Sequence, residues 1–252
     1  MKKLPVALQV YSIREDAEKD FVKSMQEVKK MGYDGVELAG LYGHSPEEVR
    51  DILKEIGLIP ISAHVPYQEF MEDIAATAHR YAVIGCSYVA IPYLTEEYRY
   101  GTEKFEEVMK NIPAISEACH KEGIILLYHN HDFEFKRTTD GEYVLDYMYR
   151  TFTQDQLQVE LDICWTKVAG EDPAEYMKKY AGRLPIVHLK DYKEGTPFEF
   201  RAVGRGVQDI PSVLKQAVQG ESLWLVVEQD RHTEFSALED ARISREYLNS
   251  LV

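Results

Sequence analysis

Short apolar runs alternate with stretches of helical periodicity along the whole chain. The first run is Val6-Ala7-Leu8-Gln9-Val10-Tyr11. After it, Phe21, Met25 and Val28 fall at i, i+4 and i+7, the spacing of one helix face, closed by Gly32. Gly35-Val36-Glu37-Leu38 is the second run. Ser45-Pro46-Glu47-Glu48 then predicts a capped helix start with proline in the first turn, a buried stripe of Val49, Ile52, Leu53 and Ile56, and a stop at Gly57. The third run, Leu58 to His64, leads to a helix around Ile74 to Ile84. The fourth, Tyr88 to Ile91, leads to a helix from Phe105 to Cys119, with Pro113 a candidate kink. Ile124 to His131 predicts a fifth strand, with Tyr143 to Phe152 as its helix. Leu157 to Cys164 predicts a sixth, followed by the capped start Asp172-Pro173-Ala174-Glu175. Pro185 to Lys190 and Leu223 to Glu228 predict the seventh and eighth strands, with helices at Asp209 to Val218 and Ser236 to Leu248.

Eight strand-then-helix units of about 31 residues each predict an α/β fold, a closed (β/α)8 TIM barrel, more naturally than an open doubly wound sheet. No linker or low-complexity segment divides the chain, so residues 1–252 are expected to form one barrel domain. The open sheet is the runner-up, and no G-x-G-x-x-G follows any strand to support it.

Composition narrows the function classes. Twenty-nine basic against forty-three acidic residues give a net charge of −14, which repels polyphosphate backbones and argues against a nucleic-acid partner. No apolar run approaches the roughly 18 residues of a membrane span. Met1-Lys2-Lys3-Leu4-Pro5 passes straight into the first run without the pattern of a signal peptide, so a cytoplasmic protein without a membrane partner is expected. Cys86, Cys119 and Cys164 are odd in number and scattered, as reduced thiols rather than a disulfide framework.

The chemistry gathers at the strand ends. Strands of a parallel barrel are buried on both faces, so polar residues in them are costly without partners. Here Glu37, His64, His129, His131, Asp162, His188 and Glu228 stand at the ends of strand after strand, where the barrel fold builds its active sites. A single buried histidine is commonly a satisfied core residue, whereas a convergent set of mixed sign suits one divalent ion such as Mn²⁺, Co²⁺ or Zn²⁺. His129 and His131 share parity and both should point inward. Lys190 shares the parity of His188; a lysine beside a metal should have a lowered pKa and act as base or polarise a carbonyl, the alternative being an ion pair with a neighbouring acid.

The motifs Leu8-Gln9-Val10-Tyr11-Ser12, Ser62-Ala63-His64, Tyr128-His129-Asn130-His131-Asp132-Phe133, Glu160-Leu161-Asp162, Val187-His188-Leu189-Lys190-Asp191 and Val226-Val227-Glu228-Gln229 resemble, in their order and spacing, the sugar phosphate isomerase/epimerase family of xylose-isomerase-like barrels. That family includes ketose 3-epimerases, hydroxypyruvate isomerase and inosose dehydratase. The resemblance implies one metal held by residues at the ends of strands five to eight. Carried over, these are Asp162, His188 and Glu228, with His129 standing where the family commonly has glutamate. His129 is preferred to His131 as ligand, and the other is left for substrate or proton transfer. The resemblance further implies a small carbohydrate substrate and a homo-oligomer.

It also implies proton removal next to a carbonyl through a metal-stabilised enediolate. Glu228 or His131 is the candidate base and Lys190 the candidate general acid. Trp165, Glu37 and His64 (the last two from the opposite rim) and Arg201 are candidate substrate contacts. Arg205 stands where relatives usually have the Glu of Gly-Glu-Gly. Isomerase or epimerase is the first expectation. The missing strand-five glutamate makes a dehydratase or lyase on a keto-sugar or keto-cyclitol the second. A non-catalytic sugar-binding barrel is the alternative from another class. The three-zinc endonuclease IV, which shares the barrel, needs more ligands and a DNA-binding face.

Overall fold

The computed structural model describes residues 3–195 and 198–251. Its principal strands are β1 (Val6–Gln9), β2 (Gly35–Leu38), β3 (Ile59–Ala63), β4 (Tyr88–Ile91), β5 (Ile125–His129), β6 (Gln158–Asp162), β7 (Ile186–Leu189) and β8 (Trp224–Val227). Every pairing among them is parallel, in the order β3-β2-β1-β8-β7-β6-β5-β4. The ends of that order meet through the bridge His64–Ala90, where the Val65 N–H donates to the Ala90 carbonyl at 2.8 Å. The expected barrel is therefore present, nearly closed, with one thin seam beside His64.

Local chemistry starts the helices where the sequence predicts. Ser45 and Glu48 form the reciprocal capping box of helix Pro46–Ile56, and Gly57 ends it at φ 82°. Asp20, Asp73, Asp172, Asp209 and Ser236 each accept a first-turn N–H with the side chain. Helix Glu103–Lys121 runs on through Pro113. Strands are shorter than expected at their ends. The fifth stops at His129, and the sixth stops at Asp162, whose side chain caps the helix Ile163–Val168. Unforeseen is a small antiparallel ribbon after β7, pairing Asp191–Lys193 with Glu199–Arg201. Among the described residues no helix is long and apolar enough to cross a membrane.

Strand alternation sorts the side chains into two compartments. Outward positions such as Leu8, Val36, Val89, Leu126, Leu161, Val187 and Val227 pack under the helices in the main core. Inward positions Ala7, Ile61, Ala90, Leu127, Ile186 and Val226 form a separate apolar plug inside the barrel. Two residues further along, the inward positions of β1, β5, β7 and β8 become Gln9, His129, His188 and Glu228, joined at that level by Glu37 of β2, all buried. The candidate chemistry thus rests as a polar layer on an apolar one.

The β2–β3 register slips between Val36 and Glu37, where the partner strand carries Pro60 and so lacks a donor. Gly35 lies at the close approach: a Cβ there would stand 2.5 Å from the Ile59 carbonyl oxygen. Gly35→Ala is expected to lower stability by about 2 kcal/mol, because backbone cannot move aside as a side-chain tip can. Urea denaturation measures this, and an unchanged midpoint would show that β2 and β3 separate freely.

Candidate active site

Four donor atoms on four strands close a ring inside the barrel. His64 Nε2 lies 3.2 Å from Glu37 Oε2 and 2.7 Å from Glu160 Oε1. His188 Nε2 lies 2.7 Å from the same Glu37 oxygen and 3.2 Å from the same Glu160 oxygen. Gln9 Nε2 donates to Glu37 at 2.8 Å, and His129 Nδ1 to Glu160 at 3.1 Å. The ring centroids of His64, His129 and His188 lie 4.6–5.3 Å apart, so the three imidazoles pack on one another.

A second group lies one step nearer the rim. Lys190 Nζ is 3.0 Å from each of Asp162 Oδ2, Glu228 Oε2 and Asp230 Oδ1. His129 Nε2 faces Asp162 Oδ2 at 3.7 Å and Glu228 Oε2 at 4.0 Å, and His188 Nδ1 donates to Glu228 at 2.9 Å. Two sets of four therefore have donor atoms within 4.8 Å of one another: His64, His129, Glu160 and His188, and His129, Asp162, His188 and Glu228. The second set is the one the family resemblance implies.

Burial and charge set the protonation states. Burial opposes charge on His188, but Glu160 and Glu37 outweigh it and hold the imidazole well above its usual range; His64 is raised by the same two carboxylates. His129 is pushed down to about 3 by burial and by His188, and burial and His129 push His131 well below its ordinary value, so both are neutral. Against burial, the histidines hold Glu160, and Lys190 with His188 holds Glu228, well below the usual carboxylate range. Lys190 takes the ion-pair alternative of the two readings its position allowed. Its three carboxylate neighbours outweigh burial and hold it well above the ordinary lysine value.

Above these groups opens a cavity of about 1070 Å³, walled by His64, His129, His131, Trp165, Glu228 and Asp230 among others. Tyr11, Tyr93 and Phe198, each about 40% exposed, form an aromatic collar at its mouth with Trp165 and Phe200. His131 fits edge-on against Tyr93, with ring centroids 5.0 Å apart, and its Nδ1 has no hydrogen-bond partner among the described residues. Asn130 links the ends of β5 and β6, its Oδ1 accepting the Asp162 N–H at 2.9 Å. The buried Asp191 carboxylate accepts N–H groups from Tyr192, Gly204, Gly206 and Gln208, fixing the ribbon that carries Phe200.

Two expected substrate contacts, Glu37 and Arg201, and the candidate general acid, Lys190, stand off the cavity wall. Glu37 is wholly buried in the floor, not on the rim. Arg201 is held by Glu199, by Glu234 at 3.6 Å and by the Thr233 hydroxyl at 2.9 Å, outside the cavity wall. In a two-stranded ribbon alternate side chains face opposite ways, and Phe200 takes the cavity side. Lys190 lies behind Glu228 and Asp162 and is not part of the wall. His64, His129, His131, Trp165 and Glu228 do line the cavity. Sequence reasoning assigned no role to Glu160, Asp230, Arg14, Arg231 or Tyr93. Glu160 shares the parity of Asp162 in β6, and that alternation was the available signal.

The family model described as a xylose isomerase-like TIM barrel matches residues 25–251. Inosose dehydratase of Geobacillus kaustophilus is 20% identical over 268 aligned positions, covering 90% of this chain and 86% of that one. A sugar phosphate isomerase/epimerase structure from Parabacteroides distasonis superposes with a TM-score of 0.83 at 24% identity, covering 97% of each chain. The structure of IolI protein with a bound zinc atom superposes with a TM-score of 0.75 at 16% identity, covering 99% of this chain and 98% of that one.

Glu134 braces this rim from behind. Its carboxylate accepts the Tyr128 hydroxyl at 2.6 Å and the His131 N–H at 2.8 Å, and burial pushes its pKa from 4.5 up to about 7. A carboxyl raised on folding binds its proton more tightly in the native state, so its contribution to stability is present below pH 4.5 and lost as pH rises through 7. Glu134→Gln keeps the shape and removes the titration. Its stability relative to wild type is expected to rise between pH 5 and 8 by about 3 kcal/mol. Denaturation midpoints across that range measure the difference, and parallel profiles would acquit Glu134.

Proposed function

The chain belongs to the xylose isomerase-like TIM barrel family, and we propose that it is a divalent-metal-dependent enzyme that removes a proton next to the carbonyl of a small sugar or cyclitol. The observation that carries this reading is the wholly buried carboxylate–imidazole floor beneath a cavity of about 1070 Å³. The donor chemistry fits a divalent ion. Glu37 Oε1 and Glu160 Oε2 are buried without hydrogen-bond partners among the described residues, and mixed N and O donors suit Mn²⁺, Co²⁺ or Zn²⁺. The zinc of the IolI protein structure is consistent with such an ion. When bound, the ion supplies Lewis acidity that stabilises negative charge on the substrate oxygens.

The chain's own residues do the rest. Glu228 is ionised and opens onto the cavity, where it can accept a proton, and His131 lines the same cavity as a neutral imidazole. Lys190 fixes Glu228 and Asp162 from behind and acts through them. Tyr11, Tyr93, Trp165 and Phe198 offer apolar faces to the C–H faces of a ring and narrow the route for water. Returning the proton to the same or the adjacent carbon gives epimerisation or isomerisation, the first reading. Loss of a β-hydroxyl gives dehydration, which the likeness to inosose dehydratase favours as the second.

The test is exchange in D₂O, followed by NMR. Mn²⁺-loaded protein is incubated with ketoses, 3-keto-sugars and inososes, with His188→Ala as control. Deuterium is expected next to the carbonyl of at least one substrate, falling at least ~100-fold in the variant. Exchange without a new double bond marks an epimerase or isomerase, and an unsaturated product marks a dehydratase. No exchange in the presence of a full equivalent of bound metal would count against the enzyme and for a sugar-binding barrel.

A further inference from the structure

Behind the β5 rim lies a second cavity, of about 260 Å³, which shares no wall residue with the first. Tyr128 reaches it from the outward face of β5, whereas His129 faces the barrel interior. It is smaller than the roughly 300–1,000 Å³ of pockets that take drug-sized ligands, so an occupant must be small.

Three cationic side chains line it: Arg99, Lys136 and Arg137. The chain carries a net charge of −14, yet none of the three makes an ion pair among the described residues. The acids of the surrounding loops are committed elsewhere. Glu97 pairs with Lys104 at 2.8 Å, Glu142 pairs with Arg150 at 2.6 Å, and Glu171 accepts the Tyr143 hydroxyl at 2.6 Å. Asp132 and Asp140 stay off the wall. Glu134 does line the cavity, but its oxygens accept the Tyr128 hydroxyl and the His131 N–H. Burial pushes it up to about 7, so near neutral pH it spends much of its time uncharged. Gathering like charges without a counter-ion is unfavourable, and an anion among them relieves it.

Donors are left over for such an anion. A guanidinium has five N–H groups and an ammonium three. Arg99 gives Nε to the Leu94 carbonyl at 2.9 Å and Nη2 to the Tyr93 hydroxyl. Arg137 gives Nη1 to the Gly141 carbonyl at 2.6 Å and Nη2 to the Tyr143 hydroxyl at 3.4 Å. Arg99 Nη1, Arg137 Nε and the Lys136 ammonium donate to nothing among the described residues. The Arg99 guanidinium also lies over the Phe133 ring, 3.7 Å from its centre, so it is held in place before any ligand arrives.

We propose that this cavity is an anion-binding site for a small carboxylate or phosphate compound, held by Arg99, Lys136 and Arg137, and that its occupant acts on the active cavity through Tyr93. Arg99 joins the two spaces: it lines the second, and the Tyr93 it holds lines the first. Phe133 packs between them, edge-on to Tyr93 at 5.4 Å and stacked on His131 at 5.7 Å. An anion that draws Arg99 towards it re-aims the Tyr93 ring in the aromatic collar.

Calorimetric titration of Zn²⁺-loaded protein with inorganic phosphate and with malonate tests the site. The variants are Arg99→Gln, Arg137→Gln and, on the wall of the first cavity, Arg14→Gln, with folding checked by circular dichroism. Saturable binding of one anion per chain is expected, weakened at least ~10-fold by Arg99→Gln or Arg137→Gln and less than about twofold by Arg14→Gln. The tighter of the two anions then names the charged group of the ligand. The link to the active cavity is read without substrate, from the NMR signal of the Tyr93 ring in tyrosine-labelled protein, assigned with Tyr93→Phe. That signal is expected to shift with the anion in wild type and to stay in place in Arg99→Gln. No saturable binding, or a loss in Arg14→Gln as large as in Arg99→Gln, overturns the site. Binding that leaves the Tyr93 signal unmoved overturns the link. Lys136→Gln, on an exposed side chain, replaces any arginine variant that does not fold.

Discussion

Four carboxylates, Glu37, Glu160, Asp162 and Glu228, are buried together inside the barrel, and the need to balance their charge governs the site. They stand directly above the apolar plug of Ala7, Ile61, Leu127, Ile186 and Val226, which excludes water and strengthens every charge interaction there. One ammonium, Lys190, answers the rim pair and Asp230. Among the described residues only His64 and His188 offer Glu37 and Glu160 comparable countercharge, and their raised pKa values record the demand. Two imidazolium protons or one divalent cation supply the same countercharge. Removing a single partner from such a set leaves a buried charge uncompensated, so the layer is specified as a unit.

The same economy of carboxylates shapes the rim. Asp162 divides its two oxygens: Oδ1 accepts the Cys164 and Trp165 N–H groups at the start of a helix, while Oδ2 faces Lys190. Asp191 spends its whole acceptor capacity on four backbone N–H groups. That anchor turns a loop into a defined wall, and a Cβ on Gly206 would stand 2.1 Å from its Oδ1. Glu134 accepts the His131 N–H and so sets where that side chain enters the cavity. The placement of side chains at this end of the barrel thus depends on acidic side chains binding main chain, which is one use of the chain's acidic excess.

Much of this was legible in the chain. Eight apolar runs with helical stretches between them were enough for the barrel, because each unit is local and the strands are too apolar to be anything but buried on both faces. The capping box at Ser45 and the convergence of His64, His129, Asp162, His188 and Glu228 follow from the same reading. Less legible was everything set by depth or by loop path. Parity puts Glu37 inside, but how far below the rim depends on the β2–β3 register slip opposite Pro60. Arg201 looked available because the ribbon it belongs to has no strong apolar alternation. The sign of the Lys190 shift depends on three carboxylates from β6, β8 and the loop after β8, and no local window contains them all.

The histidine at the end of β5 is best understood through that charge balance. By resemblance a glutamate is expected there; this chain has His129, while β6 carries a second acid, Glu160, two residues before Asp162. His129 Nδ1 donates to that acid at 3.1 Å. The acid of this pair thus stands on β6 in the floor, and the His129 imidazole faces the cavity. Burial and His188 keep that imidazole neutral, so an uncharged group stands where a carboxylate would have added negative charge beside Asp162 and Glu228. The cavity is thereby lined by unlike groups, ionised Glu228 on one side and neutral His129 and His131 on another. That asymmetry is a consequence of where one charge stands in the barrel rather than of the fold itself.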